Sequence, residues 1–360
     1  MRDKLEKHIQ AGLKLFEERD YEGAYSELSQ AIYQIEEEEG DMYMNPSQIS
    51  EIFMFRASAM MAMDNHAAYN EEETFQEALQ DYESAIDYDP KNPLLYNLRG
   101  KTYMRATYQD FLEEAKEDFN KALEINPKDA SAMKSLGEVL SKQGQFDQAI
   151  RLLSQVLEEG KDAESFMLRG VANFKKPRAD FAAAAADFER AIEILPQLDE
   201  LYIWRAQSFQ NLGDRQSAVK EYNRLIDRVP NISDYYVDRG SLLHNMDPEA
   251  AMKDYSYAIK LDQHPLAYNN RASLYVKKRL FDLAIQDAEK ALNHPQSPTV
   301  AYATMAEIYA NMNESDQMYK FLELALQHYY EDILDVYDNE AFKPYHQEEE
   351  FQKLVSKKKW

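Results

Sequence analysis

Apolar and small residues recur along most of this chain with a period of about 34 residues. Each period holds two stretches whose apolar or small residues lie three and four positions apart. In one period, Tyr96, Gly100 and Tyr103 mark the first stretch, and Ala115 and Phe119 mark the second. This spacing places side chains on one face of a helix. The pattern therefore predicts successive pairs of amphipathic helices.

One small-residue position in the first helix can be followed through nine such units. It is occupied in turn by Gly12, Ala57, Gly100, Gly137, Gly170, Ala206, Gly240, Ala272 and Ala306. Small side chains allow two helices to approach closely. A single helix pair cannot bury its own apolar face, so neighbouring pairs must stack. The sequence predicts a solenoid.

These positions resemble those of the tetratricopeptide repeat family, whose unit is W-x2-L-G-x2-Y, then A-x3-F, A and P. The unit that matches this pattern position by position has Tyr96, Gly100, Tyr103, Ala115, Phe119, Ala122 and Pro127. The resemblance covers about residues 5 to 330. It implies an all-α, right-handed superhelical solenoid, with nine repeats in residues 1–330 and a C-terminal capping segment and basic tail in residues 331–360.

Six units carry an arginine just before the small position and an acid just before the aromatic position of the second helix. The pairs are Arg56 with Asp81, Arg99 with Asp118, Arg169 with Asp187, Arg205 with Glu221, Arg239 with Asp254, and Arg271 with Asp287. Two units without the arginine have apolar residues at both positions, Leu136 with Leu152 and Met305 with Phe321, and the first unit has Ala11 with Glu27. Matched replacement indicates that the two side chains touch. We predict a partly buried salt bridge within each pair rather than six catalytic dyads.

Two acidic insertions interrupt the spacing, near residues 36–47 and 64–74. Insertions in repeat proteins lie in loops on one face, often the binding face. They are also tolerated as plain surface loops, because lengthening a loop costs little free energy. Both interpretations stay open for the second insertion.

The net charge of −24 excludes some partners. So acidic a chain is poorly suited to nucleic-acid phosphates or to anionic membranes. Residues 1–100 hold 8 basic and 22 acidic residues, so a basic partner would be attracted to the N-terminal end, although the same charge also serves solubility.

Chemical motifs are missing from the sequence. Cysteine is absent, which excludes disulfides, thiolate zinc sites and cysteine nucleophiles. No glycine-rich phosphate loop, H-E-x-x-H or G-x-S-x-G is found. We therefore expect no enzyme activity, no cofactor and no metal. The N-terminus does not read as a signal peptide, and no apolar run is long enough for a membrane span, so the expected location is cytoplasmic.

The resemblance also implies that the first helices line a concave groove in which peptides or helices bind. The residues expected to face it are Met54, Phe55, Leu98, Lys101, Lys134, Leu168, Trp204, Asn211, Asp238 and Asn270. They are largely apolar in the first six units and polar in the last three. The alternative is that they pack between neighbouring first helices. No window of three successive first helices reproduces the Lys/Asn–Asn–Lys/Arg clamp with which some members grip chaperone tails.

After the last repeat, Val336, Phe342, Tyr345, Phe351 and Leu354 are predicted to cover the terminal groove. The predicted function is a non-catalytic interaction scaffold or adaptor that binds a peptide or helix of a partner protein. The alternative is a self-assembling, homo-oligomeric repeat protein.

Overall fold

The computed structural model describes residues 2–37, 44–63, 71–106, 110–296, 300–328 and 338–356. Within these residues the regular secondary structure is helical, without a strand. The two helices of each pair pack against each other, and within Met1–Leu195 and within Pro196–Trp360 each pair contacts the next along the chain. The predicted all-α fold of stacked helix pairs is confirmed.

Residues Met1–Leu195 form the first of two compact units. Its helices are α1 (Arg2–Glu17), α2 (Tyr21–Glu37), α3 (Pro46–Met63), α4 (Glu71–Tyr88), α5 (Pro93–Arg105), α6 (Leu112–Ile125), α7 (Ala130–Lys142), α8 (Phe146–Glu159), α9 (Ala163–Lys175) and α10 (Phe181–Ile194).

Residues Pro196–Trp360 form the second unit. Its helices are α11 (Asp199–Asn211), α12 (Arg215–Arg228), α13 (Ser233–Leu243), α14 (Pro248–Asp262), α15 (Pro265–Lys277), α16 (Phe281–Leu292), α17 (Val300–Met312), α18 (Ser315–His328), a 3₁₀ helix (Glu340–Tyr345) and α19 (Glu349–Ser356).

Short polar residues fix where α5, α7 and α9 begin. Asn92 accepts a hydrogen bond from the Leu94 amide at 3.1 Å, and Pro93 occupies the first turn of α5. Asp129 accepts from two amides at the start of α7, and Asp162 accepts from the Ser165 amide at 2.9 Å at the start of α9. These side chains satisfy amides that have no partner within the helix. These capping contacts help to set where the three repeats that begin with α5, α7 and α9 start.

Gly100 shows why a small residue is needed at this position of the first helix. A Cβ atom built on it would lie 2.7 Å from the ring of Phe119, which is fully buried. The missing side chain lets α5 approach α6 until the phenylalanine ring rests against the glycine backbone. This close approach is what the repeated small residue predicts.

The six predicted arginine–acid contacts are all present. In five of them, Nε and Nη2 of the arginine donate to the two oxygens of an aspartate at 2.6–2.9 Å. In the sixth, Nη2 of Arg205 donates to Glu221 at 2.6 Å. The acids are buried and most of the arginines are partly exposed. The prediction of partly buried salt bridges within helix pairs is confirmed.

The units that lack this bridge fill its place in two ways. Leu136 and Leu152 belong to one apolar cluster, and Met305 and Phe321 belong to another. In the first pair, the Nδ1 atom of His8 lies 2.7 Å from a carboxylate oxygen of Glu27. Glu27 therefore pairs with His8, which lies one turn before Ala11. The sequence pattern did not predict this contact.

Both acidic insertions are partly helical, which corrects their interpretation as loops. Residues 36–37 continue α2, and residues 46–47 belong to α3. Residues 71–74 form the first turn of α4. The remaining parts, 38–43 and 64–70, lie outside the described residues. Glutamate has a good helix propensity, and proline is well tolerated at the first position of a helix, which Pro46 occupies in α3.

The segment after α18 packs onto the last helix pair. Phe342, Tyr345 and Phe351 are buried in one cluster with Met318 and Leu322. The packing also buries Val355 and partly buries Leu354, while Val336 and the basic tail 357–360 lie outside the described residues. The Tyr345 hydroxyl donates to the main-chain oxygen of Ala310 at 3.2 Å. The apolar face of α17 and α18 is thereby covered.

Candidate protein-binding surface

The odd-numbered helices of the first unit share a face of their own. Besides its partner helix, α5 contacts α3 and α7, and α7 contacts α9, whereas the even-numbered helices make no comparably close approach to one another among the described residues. The first helices of successive pairs therefore lie on the inner side of the stack. We call this surface the first-helix face of the first unit.

A cavity of about 320 Å³ opens on this face between α5, α7 and α9. It is lined by Lys101, Met104, Arg105, Lys134, Ser135, Glu138, Lys142 and Glu164. Two residues predicted from the sequence, Lys101 and Lys134, come together here. Arg105 and Lys142 were missed, because the sequence comparison read groove positions beside the small residue and these two lie one turn further along their helices.

The basic side chains of this cavity reach it from two helices and are held by local acceptors. Nζ of Lys101 donates to the hydroxyl of Ser131 at 2.9 Å. Nζ of Lys142 lies 3.0 Å from Glu138. Nη1 of Arg105 donates to the main-chain oxygen of Met61 at 2.7 Å.

Lys134 is the most enclosed of these bases. Its Nζ atom lies 2.5 Å from Glu164 and 3.5 Å from Asp162. Burial acts to lower the pKa of Lys134, but the hydrogen bond and charge of Glu164, together with Asp162, raise it above its usual value. Lys134 thus keeps its charge at neutral pH although it is three-quarters buried.

The apolar residues predicted to line the groove are largely buried, which leaves little of their side-chain surface for a partner. Met54 is only 8% exposed and belongs to the core of the first unit, so its side chain offers little surface to a partner. The ring of Phe55 meets the ring of Phe16 edge-on at 5.1 Å. Phe55 and Leu98 are half-buried against the same core, and Leu168 is half-buried. Packing between neighbouring first helices therefore accounts for Met54 and for part of Phe55 and Leu98.

The other predicted residues lie in the second unit. The indole Nε1 of Trp204 donates to Glu200 at 3.0 Å, and the amide of Asn211 donates to the Gln207 main chain at 2.8 Å. Asp238 is exposed at the surface, and its carboxylate is a hydrogen-bond partner of Tyr222. The amide of Asn270 lies 3.3 Å from the Ser241 hydroxyl.

Asn270 and Ser241 border a polar cluster that sequence reasoning did not find. Nδ1 of His244 lies 3.3 Å from the buried hydroxyl of Tyr255. Burial, with a smaller contribution from Lys277, lowers the pKa of His244 to about 4. Burial also raises the pKa of Tyr255 to about 12. Both side chains are therefore neutral at pH 7.

A larger cavity, of about 750 Å³, lies against α4 and α5. Four glutamates of α4 line it, namely Glu72, Glu73, Glu77 and Glu83. On the α5 side it is bounded by Tyr103 and by Arg99, whose guanidinium is bound to Asp118. No residue of the predicted groove belongs to this cavity, and its charge is opposite to that of the cavity on the first-helix face.

Two further features are absent from the described ranges. There, no three histidine, aspartate or glutamate side chains come together as metal ligands. Among the described helices, none combines the length and the apolar character needed to cross a membrane.

Comparison with known proteins identifies the repeat. Family models described as tetratricopeptide repeat match residues 111–170, 200–231 and 266–293, and one described as TPR repeat matches residues 67–106. The chain is a tetratricopeptide-repeat protein. These matches account for parts of both units of the tetratricopeptide-repeat chain, and the total of nine repeats stays a prediction from the sequence.

Curated relatives and a solved structure agree with this family. The tetratricopeptide-repeat chain is 28% identical over 227 residues to Hsp70-Hsp90 organizing protein 1 of Glycine max and 26% identical over 220 residues to Hsp70-Hsp90 organizing protein 3 of Arabidopsis thaliana. The alignments cover 61% and 59% of this chain, but only 39% of each relative. A tetratricopeptide repeat protein from Parabacteroides merdae has the same fold, with a TM-score of 0.51 at 20% identity over 79% of this chain and 99% of that one.

Proposed function

We propose that this tetratricopeptide-repeat protein is a non-catalytic scaffold that binds a segment of a partner protein on the first-helix face of its first unit. The two relatives are named as organizers of Hsp70 and Hsp90, which describes an interaction role. Because this chain spans 39% of their length, we carry over the class of function and not those partners.

The observation that carries the proposal is the cavity between α5, α7 and α9. Three successive first helices contribute to it, and each is fixed by its own second helix and by its neighbours. A recess on rigid elements, lined by a few polar groups and an apolar side chain such as Met104, is the usual form of a binding site.

Site-specific crosslinking tests this proposal without changing any charge. Met104→benzoylphenylalanine places a photoreactive group in the cavity. Tyr33→benzoylphenylalanine is the matched control, because Tyr33 is an aromatic residue of α2 that is 56% exposed. We expect a partner in lysate of the source cells to crosslink from position 104 and not from position 33.

Crosslinks of equal yield from both positions, or from position 33 alone, would contradict binding on the first-helix face. A product of twice the chain mass would instead support the alternative of a homo-oligomer. Mass spectrometry of the crosslinked bands separates these outcomes.

We also propose that a basic segment of a partner binds at the acidic cavity of α4. The four glutamates that line it and the acidity of residues 1–100 support this second contact. A fluorescent lysine decapeptide should bind the wild-type chain more tightly than the variant Glu73→Gln/Glu77→Gln, and equal affinities would contradict the proposal.

A further inference from the structure

We infer that the segment bound on the first-helix face is acidic and that its side-chain carboxylates are bound by Lys101, Arg105, Lys134 and Lys142. This inference rests on the proposed function and specifies the chemistry of the partner. It is carried by the sign of the charge in the cavity, by the spacing of the bases along two helices, and by the hydrogen-bond donors that they present.

The charge of the cavity is opposite to that of the chain. Four basic side chains and two acidic ones line it, whereas the chain as a whole has a net charge of −24. An acidic segment is repelled by most of such a molecule and attracted to this cavity, where basic side chains outnumber acidic ones. Recessed walls of low dielectric constant strengthen this attraction by concentrating the field. Charge complementarity therefore selects an acidic occupant.

The bases form two rows that follow the helix axes. Lys101 and Arg105 lie four residues apart on α5, and Lys134 and Lys142 lie eight residues apart on α7. At about 1.5 Å of rise per residue, these separations are about 6 Å and about 12 Å along the helix axis.

An extended peptide matches this spacing. It advances about 3.3 Å per residue, so every second side chain points the same way and the repeat is about 6.6 Å. Acidic residues at alternate positions of an extended segment would therefore meet bases one helical turn apart. The preferred ligand carries two or three carboxylates in an acid-x-acid-x-acid arrangement.

The lysines present donors for such a ligand. Each ammonium has three N–H donors. In the described contacts, Lys101 gives one to the neutral hydroxyl of Ser131, and Lys142 gives one to Glu138. Lys134 is already paired with Glu164 and Asp162, so an incoming carboxylate would be a third acceptor for its ammonium group. Lys101 is therefore expected to contribute the largest share of the affinity.

Fluorescence anisotropy on the full-length chain tests the inference. The probe is a fluorescein-labelled decapeptide of alternating glutamate and serine, and the control peptide has glutamine in place of glutamate. We expect the glutamate peptide to bind at least tenfold more tightly at low ionic strength. Its affinity should fall as salt is added, because screening weakens the exposed part of the interaction.

Charge-removing variants locate the binding. Lys101→Gln/Lys134→Gln should weaken binding of the glutamate peptide at least tenfold. The matched control is Lys116→Gln/Lys121→Gln, which removes two lysines of α6 in the same unit and should change the affinity less than twofold. Circular dichroism monitors folding, and the single variant Lys101→Gln, at an exposed position, serves if the double variant does not fold.

Three outcomes would overturn the inference: equal affinity for the glutamate and glutamine peptides, unchanged affinity in the Lys101→Gln/Lys134→Gln variant, or tighter binding of a decauridylate RNA. The proposed function fails separately. Crosslinking from position 104 with no binding of the glutamate peptide would leave a partner on the first-helix face but of different chemistry. Loss of position-specific crosslinking would contradict both the proposed function and the inference of an acidic segment.

Discussion

The arginine of the repeat adapts to the side chains around it. In Arg239, Nε and Nη2 bind both oxygens of Asp254, and Nη1 donates to Asn223 on the second helix of the preceding pair at 2.7 Å. In Arg205, the longer acid Glu221 takes Nη2, and Nε has no acceptor among the described residues. One extra methylene thus converts a two-point contact into a one-point contact.

Breaking one such bridge should destabilise the protein more than replacing it entirely. Asp254→Leu leaves the Arg239 guanidinium facing a buried leucine, and we expect a loss of about 3 kcal/mol in the free energy of unfolding. Arg239→Leu/Asp254→Leu reproduces the pair found at Leu136 and Leu152 and should lose less than the single variant. Urea denaturation measures both. A double variant as unstable as the sum of the single variants would contradict this expectation.

His244 should make the stability depend on pH. Its pKa is lowered from an ordinary value of 6.5 to about 4 in the folded chain, so between these values the unfolded chain binds more protons. The stability due to the neutral imidazole is therefore complete above pH 6.5 and is lost as pH falls toward 4. Urea midpoints measured between pH 4 and 7.5 should fall more steeply for the wild type than for His244→Asn. Parallel curves would contradict this assignment.

At the scale of the helices, packing against the small position sets how closely two helices approach. Gly100→Ala brings a methyl group against the fully buried ring of Phe119. Overpacking costs about 1–3 kcal/mol, while alanine in a helix regains about 1 kcal/mol relative to glycine. We expect a net loss of up to about 2 kcal/mol and a lower melting temperature. Gly160→Ala, in open space and with extended backbone, is the control and should leave the melting temperature within error or raise it.

The helices and their phase could be predicted from the sequence, because the small and aromatic positions report contacts inside each pair. Charge pairing was also predictable, since the sequence replaces both members together, as at Leu136 and Leu152. Helix ends at the insertions were not: the glutamates that begin α4 are polar like loop residues but favour a helix. At Met54, which is 8% exposed, one residue of phase separates the core from the predicted groove, so its role in binding stays a prediction.

Part of the candidate surface could also be predicted. Lys101 and Lys134 follow from their positions beside the small residue. The cavity itself could not be predicted, because it depends on the distance between α5, α7 and α9, which no single helix encodes. Arg105 enters it only through that packing.

At the scale of the whole molecule, stability should be transmitted mainly between neighbouring pairs. Phe351 is fully buried against α18, and Phe351→Ala should cost about 3–5 kcal/mol at that end. We expect faster hydrogen exchange in α17 and α18, and unchanged exchange in α5 to α8 of the first unit. Exchange measured by mass spectrometry after peptic digestion gives both values at once. Equal acceleration in both units would show that the chain unfolds as one cooperative body.

The arginine–acid bridges also bear on how such a chain can change in length. Each bridge lies inside one helix pair, so a gene duplication or deletion that moves a whole pair moves both charges together. In three of the six bridges, those of Arg169, Arg239 and Arg271, the remaining nitrogen donates to Ser154, Asn223 or Ser256 of the preceding pair. Because these acceptors are neutral and interchangeable, a new neighbour would strand no buried charge. Recombination could therefore lengthen or shorten this array by whole repeats while every internal counter-ion stays in place.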